Sequence, residues 1–130
     1  MDQYDMGTLV GKMMKSVERT SKHGNDGIEF IDAEGNVWVV MHAQDCCESV
    51  DIDDIEGELQ DLVGVPLTMS ECVTQDGKHV DAPTSPRGEC DSSTWSFCKF
   101  ATVNGYVTVR FFGESNGYYG ETADLYGPEA

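Results

Sequence analysis

The chain has 130 residues, with 24 acidic against 8 basic side chains and a formal net charge of -16. At this length one domain is expected, burying roughly 65–70% of its unfolded surface. The charge argues against general nucleic-acid binding, because phosphate backbones are held by clustered Lys and Arg, and it disfavours an anionic membrane surface. No run approaches the roughly 20 apolar residues of a membrane span, and the opening MDQYDMGTLVGKMM carries no signal-peptide apolar run. The five cysteines are odd in number and two are adjacent, so reduced thiols in a cytosol are expected. The acidity itself has two readings: solubility, or mimicry of a nucleic-acid backbone that blocks a DNA-binding partner.

Residues 1–8 read as a flexible tail. Leu9–Thr20 fits a helical stripe or a strand, and the strand is favoured over its second half because the turn formers SKHGNDG lead into a hairpin. There Ile28, Phe30 and Val37, Val39, Met41 alternate at period two. The turn DAEGN places Gly35 where a positive φ is needed. Next, Ser49, Asp51, Asp53 and Asp54 suit a helix start, and Ile55, Leu59, Leu62 and Val63 share a helical face. Gly64 and Pro66 stop it, which predicts a short amphipathic helix. Leu67–Thr74 reads as a strand, and residues 75–92 as a long loop of the kind often used for function. A hairpin about Asn104-Gly105 follows, with Trp95, Phe97 and Lys99 on one side and Ser96, Cys98 and Phe100 on the other. An edge strand after Asn116-Gly117 ends the chain. The prediction is a single α+β domain over residues 1–130. It has an antiparallel sheet of six or seven strands with one short amphipathic helix lying on it. Uncovered sheet edges favour a homo-oligomer.

Several clusters could carry chemistry. His42, Cys46 and Cys47 are potential zinc ligands, with the remainder to come from Cys72, Cys90, Cys98, His23 or His79. Adjacent cysteines diverge, however, and the plainer reading is thiols packed at a strand end. A His42–Cys46 nucleophile lacks any marked oxyanion site or orienting group. The acidic run from Asp51 to Asp61 does not match a calcium loop, since it lacks the required Gly and Glu positions. No catalytic residue, metal or cofactor is therefore expected. Arg110 stands apart, set between Val109 and Phe111 in a chain with three arginines. Such a guanidinium meets either a cross-strand carboxylate or an anion. In the second case it forms a phosphate fork, with Phe111, Phe112, Tyr118 or Tyr119 stacking a base. The stretch ESNGYYGET can present aromatic faces and backbone N–H groups together, or simply turn a hairpin.

Cys46-Cys47-Glu48, an acidic segment ending near Gly64, a Trp/Phe-rich strand, Gly105, Val107 and Asn116-Gly117-Tyr118-Tyr119-Gly120 together resemble one family of small phage and bacterial proteins. It includes the first-described class of phage anti-Thoeris proteins. The resemblance spans about Leu9 to Tyr126. It implies a sponge: an oligomeric cup that binds a cyclic ADP-ribose isomer, and in some members a cyclic oligonucleotide, at subunit interfaces without cleaving it. The cytoplasm of an infected host cell is the implied location. The chain departs from those members before NGYYG, where FFGES replaces a His/Asn-rich run, and after it, where Glu121 stands. The expected ligand-binding set is Arg110, Phe112, Asn116, Tyr118, Tyr119 and Trp95, with Cys46, Cys47, Glu48, Gly117 and Gly120 as structural motif residues. Lys12, Lys15 or Arg19 could supply a second cation. Direct DNA or RNA binding is not expected. The alternative is an acidic inhibitor or DNA mimic that captures a host defence protein.

Overall fold

Period-two alternation sorts the side chains of each strand onto two faces. The computed structural model of the chain describes residues 1–78, 82–86, 88 and 91–129. Nine strands lie in these residues: β1 (Asp2–Tyr4), β2 (Met14–Thr20), β3 (Gly27–Asp32), β4 (Val37–Met41), β5 (Ser49–Glu56), β6 (Met69–Asp76), β7 (Ser92–Thr102), β8 (Gly105–Ser115) and β9 (Asp124–Gly127). They form a five-stranded sheet, β1-β9-β4-β3-β2, and a four-stranded sheet, β5-β8-β7-β6, with every strand pairing antiparallel. The two sheets pack as a sandwich. Ile28, Phe30, Trp38 and Val40 of the first sheet share one core with Phe100, Val107, Val109 and Phe111 of the second. The Phe30 and Phe100 rings meet across it at 5.0 Å between centroids. Each such side chain stabilises the fold by about 1.5–3 kcal/mol through burial. Leu9 and Leu62, from 3-10 turns at Met6–Leu9 and Leu59–Leu62, are fully buried in the same core.

The α+β expectation is overturned, for the described residues contain no α-helix. The segment expected to be helical is β5 followed by the 3-10 turn. A β-bulge explains the misreading. Ile52 pairs with Phe111 and Asp54 with Arg110, which leaves Asp53 as the extra residue. The insertion shifts the strand's phase, so the inward residues run Val50, Ile52, Ile55 and the last step imitates helical spacing. Gly57 then ends the strand at φ +96, in a place where a Cβ would lie 2.3 Å from the Tyr106 carbonyl oxygen. Two more expectations change. Residues 2–4 are not a tail but pair with β9, and Tyr4 packs edge-on against Trp38 at 4.9 Å. β9 is not an edge strand but lies between β1 and β4. In the β7–β8 hairpin Thr102 pairs with Gly105, so Val103-Asn104 makes the turn. Gly105 is needed for room, because a Cβ there would sit 2.6 Å from the Asp61 carboxylate.

Two connections cross from sheet to sheet, residues 42–48 between β4 and β5 and residues 116–123 between β8 and β9. Both lie at one end of the sandwich, together with the β2–β3 turn. No helix of the described residues is long and apolar enough to cross a membrane.

Candidate functional site

At the crossing end, each connection is organised around one buried glutamate. In the first, Glu48 Oε2 accepts from His42 Nε2 at 2.7 Å and from the Asp45 N–H at 2.9 Å. Its Oε1 accepts from the Cys46 N–H at 2.8 Å. The His42 hydrogen bond, against the opposing effect of burial and with the help of the backbone donors, holds the Glu48 carboxyl down at about 2. The other His42 nitrogen, Nδ1, faces the Thr122 carbonyl oxygen at 2.8 Å. Both ring nitrogens are thus held by oxygen partners. Asn25 ties in the β2–β3 turn, donating to the His42 carbonyl at 3.1 Å and to Gln44 Oε1 at 3.2 Å.

In the second connection, Glu121 Oε1 accepts from Thr94 Oγ1 at 2.9 Å and from Ser92 Oγ at 3.2 Å, and its Oε2 accepts from Ser115 Oγ. Ser115 Oγ in turn accepts the Gly117 N–H at 2.9 Å, and Asn116 Oδ1 accepts the Tyr118 N–H at 3.1 Å. These bonds shape the loop that carries Gly120 and presents Tyr118, whose exposure is 88%. Tyr119 is half-buried. The His42–Thr122 bond fastens the two connections together, so the CCE and NGYYG blocks, distant in sequence, share one surface. Cys46 and Cys47 lie on its exposed rim with their sulfurs in contact.

Trp95, Phe112 and Arg110 lie on the outer face of the four-stranded sheet. The Trp95 and Phe112 rings are 4.7 Å apart, and the Arg110 guanidinium lies 5.1 Å from the Trp95 ring centre. Arg110 is not free. Its Nε and Nη2 donate to Asp53 Oδ2 at 2.9 and 2.6 Å, and the bulge that sets Asp53 there makes this ion pair. A hollow of about 200 Å³ adjoins it, lined by Asp54, Glu56, Phe97, Thr108 and Arg110. Its two extra carboxylates oppose a phosphate. The structure therefore gathers Arg110, Trp95 and Phe112 into one cluster and places Asn116, Tyr118 and Tyr119 on the loop beyond the end of β8. Two of the cations named as second partners are also engaged. Arg19 forks onto Asp26 at 3.1 and 2.8 Å, and Lys12 lies 5.3 Å from the Trp38 ring centre.

Among the described residues, no group of three or more His, Cys, Asp or Glu side chains is arranged to hold a metal. His42 is committed at both nitrogens, to Glu48 and to the Thr122 carbonyl, so it is not aimed at Cys46. His79 and Cys90, named above as possible ligands, lie outside the described residues. Nothing local in the sequence marks Glu121 as the centre of its loop, since two of its partners, Ser92 and Thr94, come from β7.

No curated protein and no solved structure matches the chain. One family model matches it over residues 7–125, nearly its whole length. That stretch contains both sheet crossings with Glu48 and Glu121, and on that match the chain belongs to the family described as a domain of unknown function, DUF7448.

Proposed function

We propose that the chain is a non-catalytic binding module that uses its crossing end to sequester a cyclic nucleotide signal, in the cytoplasm of an infected host cell. The observation that carries this reading is the junction of the two connections, where His42 joins Glu48 to Thr122. Loops fixed on a rigid sandwich are common recognition surfaces. An exposed Tyr118 suits the face of a base. The resemblance to anti-Thoeris proteins supplies the ligand class. The hollow beside Arg110 holds about 200 Å³, under the roughly 300 Å³ at which small-molecule pockets begin, so the reading calls for a second copy of the chain to complete the site. It also requires a phosphate to displace Asp53 from Arg110.

Titration calorimetry with cyclic ADP-ribose isomers and cyclic oligonucleotides tests this. Heat is expected for one of them, with the ligand recovered intact after denaturation. Tyr118→Ala should weaken binding by about 1–3 kcal/mol, the worth of one stacked base. Asp53→Asn should strengthen it by freeing the guanidinium. Absence of heat with every ligand overturns the reading.

One observation favours the alternative, an acidic module that captures a basic protein. β5 is an edge strand, and Asp53, Asp54, Glu56 and Glu58 are exposed along and just beyond it. The Arg19–Asp26 pair blocks strand addition at Ile52, with Asp26 accepting the Ile52 N–H at 3.0 Å and Arg19 donating to its carbonyl at 3.4 Å. A partner would then be met by side chains, and its capture would weaken steeply with salt.

A further inference from the structure

Away from the crossing end, β6 and β7 bring two thiols together. Cys72 and Cys98 are directly opposite in the antiparallel register, and their sulfurs lie 2.9 Å apart. Opposite residues of such a pair have Cα atoms about 4.5–5.5 Å apart, within the roughly 4.4–6.8 Å span of a disulfide. Closing the bond therefore needs little backbone movement. The two thiols differ in access. Cys98 is fully buried in the core, whereas Cys72 is partly exposed on an edge strand. Cys72 also lines a hollow of about 290 Å³ between the N-terminal segment, β6 and β9, together with Tyr4, Asp5, Met6, Thr74 and Asp124.

We propose that Cys72 and Cys98 form a thiol–disulfide exchange site whose substrate is a low-molecular-weight disulfide seated in this hollow. The Cys72 thiolate attacks one sulfur of that disulfide. A Cys72 mixed disulfide forms, and one small thiolate leaves and takes up the proton that Cys72 gave up. Cys98 Sγ, already beside Cys72, then attacks the Cys72 sulfur, loses its own proton and expels the second small thiol. The net change is one small disulfide reduced to two thiols and one Cys72–Cys98 bond formed, with two electrons passed from protein to substrate. The asymmetry fits the roles. The hydrogen bond from the Cys98 thiol holds the Cys72 pKa below the ordinary thiol value, and the same contact together with burial pushes Cys98 well above it. Asp124 is the charged group that opposes the Cys72 thiolate from β9.

Incubating the folded wild-type chain with oxidised glutathione, quenching in acid and mapping the peptides tests this. The expected result is a Cys72–Cys98 linked peptide lighter by two hydrogens, preceded at early times by a glutathione adduct on Cys72. In Cys98→Ala the adduct should persist, and in Cys72→Ala no adduct should form on Cys98. A Cys72 that stays unmodified overturns the proposal, and so does a stable wild-type adduct with no link to Cys98. The wild-type time course decides the matter even if a variant fails to fold.

Discussion

The two sheet-crossing connections solve one problem in different ways. Each must turn the chain through the end of the sandwich without leaving backbone donors stranded, and each places a buried carboxylate at the centre of the turn. Glu48 is met by an imidazole, two backbone N–H groups and, at 3.3 Å, the Gln44 side-chain amide. Glu121 is met by three hydroxyls. A hydroxyl rotates to suit its partner and acts as donor or acceptor, whereas a backbone N–H can only donate from where the fold has placed it. The Glu121 connection can therefore adapt to a lost charge more readily than the Glu48 connection, whose two backbone donors are fixed. The rigid connection carries the adjacent Cys46 and Cys47, while the adaptable one carries the exposed tyrosine.

Deleting the first carboxylate should have the largest effect. Glu48→Ala strands the Asp45 and Cys46 N–H groups and leaves His42 Nε2 without its partner. Its melting temperature should fall below that of Glu121→Ala, for which a loss of about 1.5–3 kcal/mol is expected from hydrogen bonds to a charged group. If scanning calorimetry ranks the two the other way, the contrast between the connections is lost.

The next effect comes from protons alone. The Glu48 pKa is depressed from the ordinary 4.5 to about 2, chiefly by the His42 hydrogen bond. A carboxylate shifted downward contributes stability that is fully present above its unfolded value and is lost as pH falls through the folded one. Denaturant midpoints should therefore drop between about pH 4.5 and 2, and Glu48→Gln should flatten that part of the curve. An unchanged slope in Glu48→Gln would mean that His42 and the two N–H groups do not favour the charged carboxyl.

How much of this was legible in the sequence follows from how local each signal is. The β2, β3, β4, β7 and β8 assignments rest on alternation within one strand and on short turns; these strands are present, but in β4 the core-facing residues are Trp38 and Val40 rather than Val37, Val39 and Met41. The helix assignment failed at Asp53 because a bulge is defined by its partner strand, here Arg110 and Phe111, and one inserted residue makes alternation look helical. Arg110 stood out by its place between Val109 and Phe111, but which of its two fates applied depended on that same bulge. The Glu121 hydroxyls and the Cys72–Cys98 pair were illegible for a related reason. Both depend on the register of β7 against a neighbour reached through a long loop or a sheet crossing.

A gentler change sharpens the comparison further. Glu121→Gln keeps the shape and one acceptor oxygen but presents an NH₂ to one side of the cluster. Ser115 already accepts the Gly117 N–H, so its hydroxyl has one lone pair left with which to receive the new donor. The expected cost is about 0.5–1.5 kcal/mol, whereas Glu48→Gln turns an NH₂ toward backbone N–H groups that cannot reverse and should cost more. Urea unfolding of the two glutamine variants side by side gives the difference directly.

The smallest effect should come from Thr94→Val, which removes one hydroxyl of the three around Glu121 and keeps the β-branched shape that a strand prefers. The carboxylate retains Ser92 at 3.2 Å and Ser115, so the loss should be below about 1 kcal/mol. Thr94 lies opposite Gly113 in the β7–β8 register, and the space beside that glycine is filled by Glu121, so the methyl meets the carboxylate to which the hydroxyl had donated. A loss as large as that of Glu121→Ala would show the three hydroxyls acting as one inflexible unit. The adaptable connection would then be as rigid as the one built on Glu48.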